Sequence, residues 1–196
     1  MHYAKRSFLP KSIHNSFLLN MNAYTSVEGF LTKSGFIIKE LCIFYDGEDF
    51  DHYMFEKPNW RLTGADLETV RYASTQLNGL NLCDGSIPYK EIGGILRGIR
   101  DYQIYTFSDL AVKTLRKYLP NTKKIKNIQD LGFEMPKLLP NSHCFRSHNV
   151  WNKKHYVTEP RYRYCAKAKA LEVRDFMRCF DWEFNYLYIL KLYRAI

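Results

Sequence analysis

This chain of 196 residues is poor in the features that would make it something other than a folded domain. Seven prolines and ten glycines are too few for a low-complexity or linker-like protein. No stretch approaches the roughly 18 uninterrupted apolar residues of a membrane span, so no membrane association is expected. The basic start, Met1-His2-Tyr3-Ala4-Lys5-Arg6, is followed by no long apolar stretch, so no secretory signal is expected either. Five cysteines, an odd number spread from Cys42 to Cys179, do not form a disulfide framework. A reduced intracellular setting, cytoplasmic or nuclear, is the expectation. What is abundant is aromatic character: 16% Phe, Trp and Tyr within 46% hydrophobic residues, enough for one sizeable core.

Charge is unevenly placed. The net charge is +9, but residues 111–196 carry 18 Lys and Arg against 7 Asp and Glu, while residues 1–110 carry 11 against 13. A basic half on a near-neutral half favours a polyanion as ligand, and nucleic acid is the commonest.

Residues 1–22 show no sustained period and read as an arm. Strand-like stretches follow at 24–31, 35–45 and 50–56, with Asp46-Gly47 as a hairpin turn between the second and third. The period then changes. Thr63-Gly64-Ala65-Asp66 has the form of a capped helix start, with Leu67, Val70 and Leu77 on one side. From Pro88 a second helix carries Ile92, Ile95, Leu96 and Ile99 at helical spacing. Residues 102–107 read as a fourth strand, and Thr106 or Ser108 caps a helix holding Leu110, Leu115 and Leu119. Residues 124–128 suggest a short fifth strand. Pro136, Pro140 and Pro160 then bracket an irregular basic segment. Cys165 to Phe180 returns to helix, with Ala166, Ala170, Val173 and Met177 along one side. The domain is expected over residues 23–180, with an aromatic helix over 181–196 that packs on it or extends it. That order fits an α/β fold, a ribonuclease H-like mixed five-stranded sheet flanked by helices.

Three stretches resemble the nuclease-like domain of the Maelstrom family, a branch of the ribonuclease H-like (DEDD) exonuclease superfamily. The first is Lys39-Glu40-Leu41-Cys42-Ile43-Phe44-Tyr45, running through Asp51-His52 to Glu56-Lys57-Pro58. The second is Tyr105-Thr106-Phe107-Ser108-Asp109 followed by Leu115-Arg116-Lys117-Tyr118-Leu119. The third is Cys144-Phe145-Arg146-Ser147-His148, then Tyr164-Cys165-Ala166. The resemblance implies a structural zinc held by one Glu, two Cys and one His. Carried over by position, these are Glu40, Cys144, His148 and Cys165. The Cys144 to His148 spacing is one residue longer than the family's, and His143 and His155 stand nearby as alternative imidazoles. Thiolate, imidazole and carboxylate form a donor set that zinc takes in closed structural sites.

Catalysis by the superfamily's two-metal route is not expected. It opens with Asp-x-Glu on the first strand, and here the matching stretch is Ser26-Val27-Glu28. Holding two ions about 4 Å apart requires paired carboxylates. Glu28, even with Asp109, falls short of that. The resemblance leaves an atypical single-stranded RNase as the alternative, with Glu28 and Asp109 as its catalytic candidates. It also implies a setting in small-RNA silencing.

For RNA contact the candidates are Lys123, Lys124, Lys126, Arg146, Lys153, Lys154, Arg161 and Arg163, interleaved with Trp151, Tyr156, Tyr162 and Tyr164. Cations track phosphates and rings stack on bases, which is how single strands are bound without sequence preference. The stretch from Trp182 to Leu190 is apolar nearly all round. It is read as closing the core, with docking of a protein partner as the alternative.

Overall fold

The computed structural model describes residues 21–120, 122–135 and 165–193. Three antiparallel strands open the fold: β1 (Asn22–Thr32), β2 (Gly35–Tyr45) and β3 (Phe50–Met54). Gly35, at φ +124°, lets the β1–β2 turn close where a side chain would be strained. Two short strands, β4 (Gln103–Thr106) and β5 (Ile125–Asn127), add to the free side of β1, both parallel to it. The five-stranded sheet therefore has the order β3-β2-β1-β4-β5 and mixed direction. With helices on both faces, this is the α/β, ribonuclease H-like arrangement.

Each face has its own core. Val27, Leu41 and Ile43 point to the side covered by α1 (Gly64–Tyr72), α2 (Ile92–Arg97) and α3 (Asp109–Tyr118). Tyr24, Cys42 and Phe44, one residue out of step, point to the side covered by α4 (Ala166–Tyr193). Period-two alternation thus serves two cores at once, and β2 reads as nearly continuous apolar sequence because neither face meets water. Ala166, Ala170, Val173 and Met177 form the buried stripe of α4, and the two alanines let the helix lie close to the sheet.

Thr63 caps α1 through a full capping box with Asp66, as its sequence predicts. Ser108 rather than Thr106 caps α3, since Thr106 ends β4. The helix expected from Pro88 is shorter than its pattern: a 3-10 turn (Tyr89–Glu91) leads into six residues of α2. The Gly93-Gly94 pair inside it and Gly98 after it weaken helix propensity. Leu67, placed on one side with Val70 and Leu77 by spacing, is 49% exposed. The third strand stops at Met54, and Phe55 instead bridges to Ile87. No break separates the last helix from an aromatic tail: α4 runs 28 residues, about 42 Å, without interruption at residue 181. Among the described residues no helix is long and apolar enough to cross a membrane.

Candidate functional site

Several polar residues of the sheet lie on the face that α4 covers. Strand register sets Ser26 opposite Cys42 and Cys42 opposite His52, while Glu28 lies opposite Glu40. Residues opposite one another share a face, so these side chains form two adjacent rows beneath α4.

A bulge produces the placement of Glu40. Glu28 pairs with Glu40 but Gly29 pairs with Ile38, leaving Lys39 as the extra residue on β2. The backbones approach so closely that a Cβ on Gly29 would lie 1.8 Å from the Ile37 carbonyl oxygen. Only glycine permits that contact. The bulge sends Lys39 and Glu40 to different tasks. The fully buried Lys39 ammonium donates to the carbonyl oxygens of Phe55, Leu82 (2.9 Å) and Asp84 (2.5 Å). Burial lowers its pKa to about 8, against the opposing pull of Asp84.

Glu40, also fully buried, collects donors from two elements. The backbone N–H of Ala166, in the first turn of α4, donates to its Oε2 at 2.9 Å. That places a carboxylate at the positive end of a helix. His52 Nε2 lies 2.7 Å from Oε1, and Cys165 Sγ lies 3.8 Å from the same oxygen. Two of the four zinc candidates therefore meet, one from the sheet and one from the helix. Cys144 and His148, with the alternatives His143 and His155, lie outside the described residues. Carboxylate and thiol side by side, with an imidazole on the same carboxylate, suit zinc by donor chemistry. The described residues alone do not complete such a site: among them no three His, Cys, Asp or Glu are grouped as metal ligands, Glu40, His52 and Cys165 included.

The catalytic candidates line different recesses. Glu28 forms an ion pair with Lys169 of α4, both side chains largely buried. Asp109 accepts from Asn127 Nδ2 at 3.2 Å and lines a recess with Arg116 and Lys126. Glu28 instead lines a crevice of about 430 Å³ that also takes in Gly29, Tyr72, Asn78, Ser108 and Lys169. Its position fits the rule that open α/β sheets form clefts beyond the carboxyl ends of their parallel strands. Its lining is largely apolar, with Tyr72 60% exposed at the rim.

Of the RNA-contact candidates, Lys123 and Lys124 are exposed just before β5, and Lys126 is exposed on it. Arg146, Lys153, Lys154, Arg161 and Arg163 lie outside the described residues, as do Trp151, Tyr156, Tyr162 and Tyr164. Sequence reasoning missed the roles of His52 and Lys169. Lys169 follows Cys165 by four residues, one helical turn, which was the available signal. For His52 the signal was period two on β3, opposite Cys42.

No family model, no curated protein and no solved structure matches the chain.

Proposed function

We propose that this chain is a single-stranded RNA-binding, ribonuclease H-like domain whose nuclease centre has been converted into a structural one. The carrying observation is the Glu28–Lys169 ion pair. At the position where a two-metal nuclease needs open carboxylates, one is Ser26 and the other is already neutralised by an ammonium from α4. Glu40, on the neighbouring strand, is engaged by the start of that same helix. The atypical RNase reading draws less support, because Glu28 and Asp109 line different recesses.

A structural zinc belongs to this reading. Glu40 and Cys165 would hold it together with Cys144 and a histidine, and when bound it would cross-link β2 to the start of α4 without reacting. The excess of cations after residue 110 supplies the affinity for phosphates. The resemblance to the Maelstrom domain points to RNA silencing as the setting. The odd number of cysteines accords with an intracellular one.

The experiment is equilibrium binding of a labelled single-stranded RNA of about 20 nucleotides across a salt series. Affinity is expected to fall steeply, by about 300-fold between 50 and 200 mM salt if six phosphates are contacted. RNA should remain intact over the incubation, with magnesium or with chelator. Unchanged affinity after Lys153, Lys154, Arg161 and Arg163 are made Ala would contradict the binding reading, and chelator-sensitive cleavage lost in Glu28→Ala would favour the nuclease.

A further inference from the structure

We infer that the recess between the ends of α2 and α3 seats phosphates of the RNA backbone, with Arg97 and Arg100 as its phosphate-binding side chains. This rests on the RNA-binding reading above and adds to it a site with residues that the sequence pattern did not single out.

The recess has a volume of about 380 Å³ and is lined by Arg97, Arg100, Asp101, Tyr118, Pro120 and Thr122 among others. That lies within the range of small-ligand sites. Its walls are tied together. The Arg100 N–H donates to the Arg97 carbonyl at 3.3 Å, so a tight turn brings both arginines into the lining of one recess. Lys124 Nζ donates to the Asp101 carbonyl at 2.6 Å, which fastens the segment before β5 to the corner that leads into β4. Thr122 Oγ1 accepts from the Lys124 N–H at 3.3 Å and braces the same segment.

The side-chain charges favour an anion and oppose the weaker negative ends of α2 and α3, which also reach the recess. Residues 97–126 hold eight Lys and Arg against Asp101 and Asp109 alone. Arg97, Arg100, Lys123 and Lys124 are all exposed. Asp101 approaches Arg100 only to 3.7 Å, with the two side chains 66% and 78% exposed. Such a surface pair is worth little, so a phosphate competes with it easily. Arginine suits the role because its planar fork can give two parallel bonds to a phosphate. A chain of phosphates is favoured over a single one because exposed Lys123 and Lys124 follow Thr122 of the recess directly, whereas Arg116 and Lys126 line a separate recess together with Asp109 and Asp130. The site lies at the amino ends of β4 and β5, away from the crevice that holds Glu28 and Ser108. An RNA bound here would run along the α3 edge of the domain.

The test is anisotropy of a 5′-labelled 20-nucleotide single-stranded RNA with the full chain, at several salt concentrations. Arg97→Ala/Arg100→Ala is expected to weaken binding about tenfold or more and to lower the log–log salt slope by about 1.4. Arg97→Lys/Arg100→Lys should keep the slope. A charge-matched control, Lys57→Ala/Arg61→Ala, should bind close to wild type. If the wild type binds and the Arg97/Arg100 pair can be removed without loss, this inference is overturned and the broader reading stands. An equal loss in the control would assign the effect to net charge and overturn the recess. A wild type that binds no RNA at this salt removes both.

Discussion

Cys165 and Glu40 are 125 residues apart in the chain, yet the cysteine sulfur lies 3.8 Å from a carboxylate oxygen of the glutamate. A helix start and a central strand are joined at that point, through the thiol and through the Ala166 N–H at 2.9 Å.

The first prediction concerns metal at this junction. Protein purified without added chelator is expected to contain close to one zinc per chain by elemental analysis. Cys165→Ser and Glu40→Gln should each lower that content and the melting temperature. A wild-type content below about 0.2 zinc per chain would count against the ligand set, because a structural site of this class binds with about 10–16 kcal/mol of apparent free energy.

A second prediction concerns the buried lysine of the bulge. Lys39→Met is expected to destabilise the fold by about 3–5 kcal/mol in urea unfolding. It leaves the carbonyls of Phe55, Leu82 and Asp84 without their shared donor. The loss should be local first, with faster amide exchange around residues 82–87. A variant as stable as wild type would mean that these carbonyls find other donors at little cost.

Acid should act through Asp66. Its carboxylate accepts from the hydroxyls of Ser34 (2.8 Å) and Thr63 (2.8 Å) and from the backbone N–H groups of both residues. These bonds hold its pKa well below the ordinary aspartate value. The folded state therefore binds its proton less readily than the unfolded chain. The resulting stability is fully present above about pH 4, the unfolded-state value, and is lost as pH falls below it. Wild type is expected to lose more stability between pH 5 and pH 3 than Asp66→Asn does, as read from melting temperatures. Parallel acid curves for the two proteins would remove Asp66 as the cause.

Much of the fold was legible locally. The Asp46-Gly47 turn, the capping pattern at Thr63 and the Ala166-Ala170-Val173-Met177 stripe each occupy a few neighbouring residues and report a backbone state directly. Leu67 was misread for a related reason. Helical spacing says that two residues share a face, but not whether a neighbour covers it. The candidate site was legible only as residue types. Glu40 and Cys165 stood out for their chemistry, whereas Lys169 looked like one more surface cation and His52 like a strand residue.

By itself, then, the sequence determined the alternation that builds two cores on one sheet, the places where helices start, and the surplus of cations after residue 110. Only the tertiary structure decided that β1 lies between β2 and β4, that one bulge turns Lys39 inward and Glu40 toward α4, and that Lys169 reaches Glu28. The physical reason is range. Local sequence sets dihedral preference and periodicity, whereas the partner of a buried charge is chosen by strand register and helix docking across more than a hundred residues.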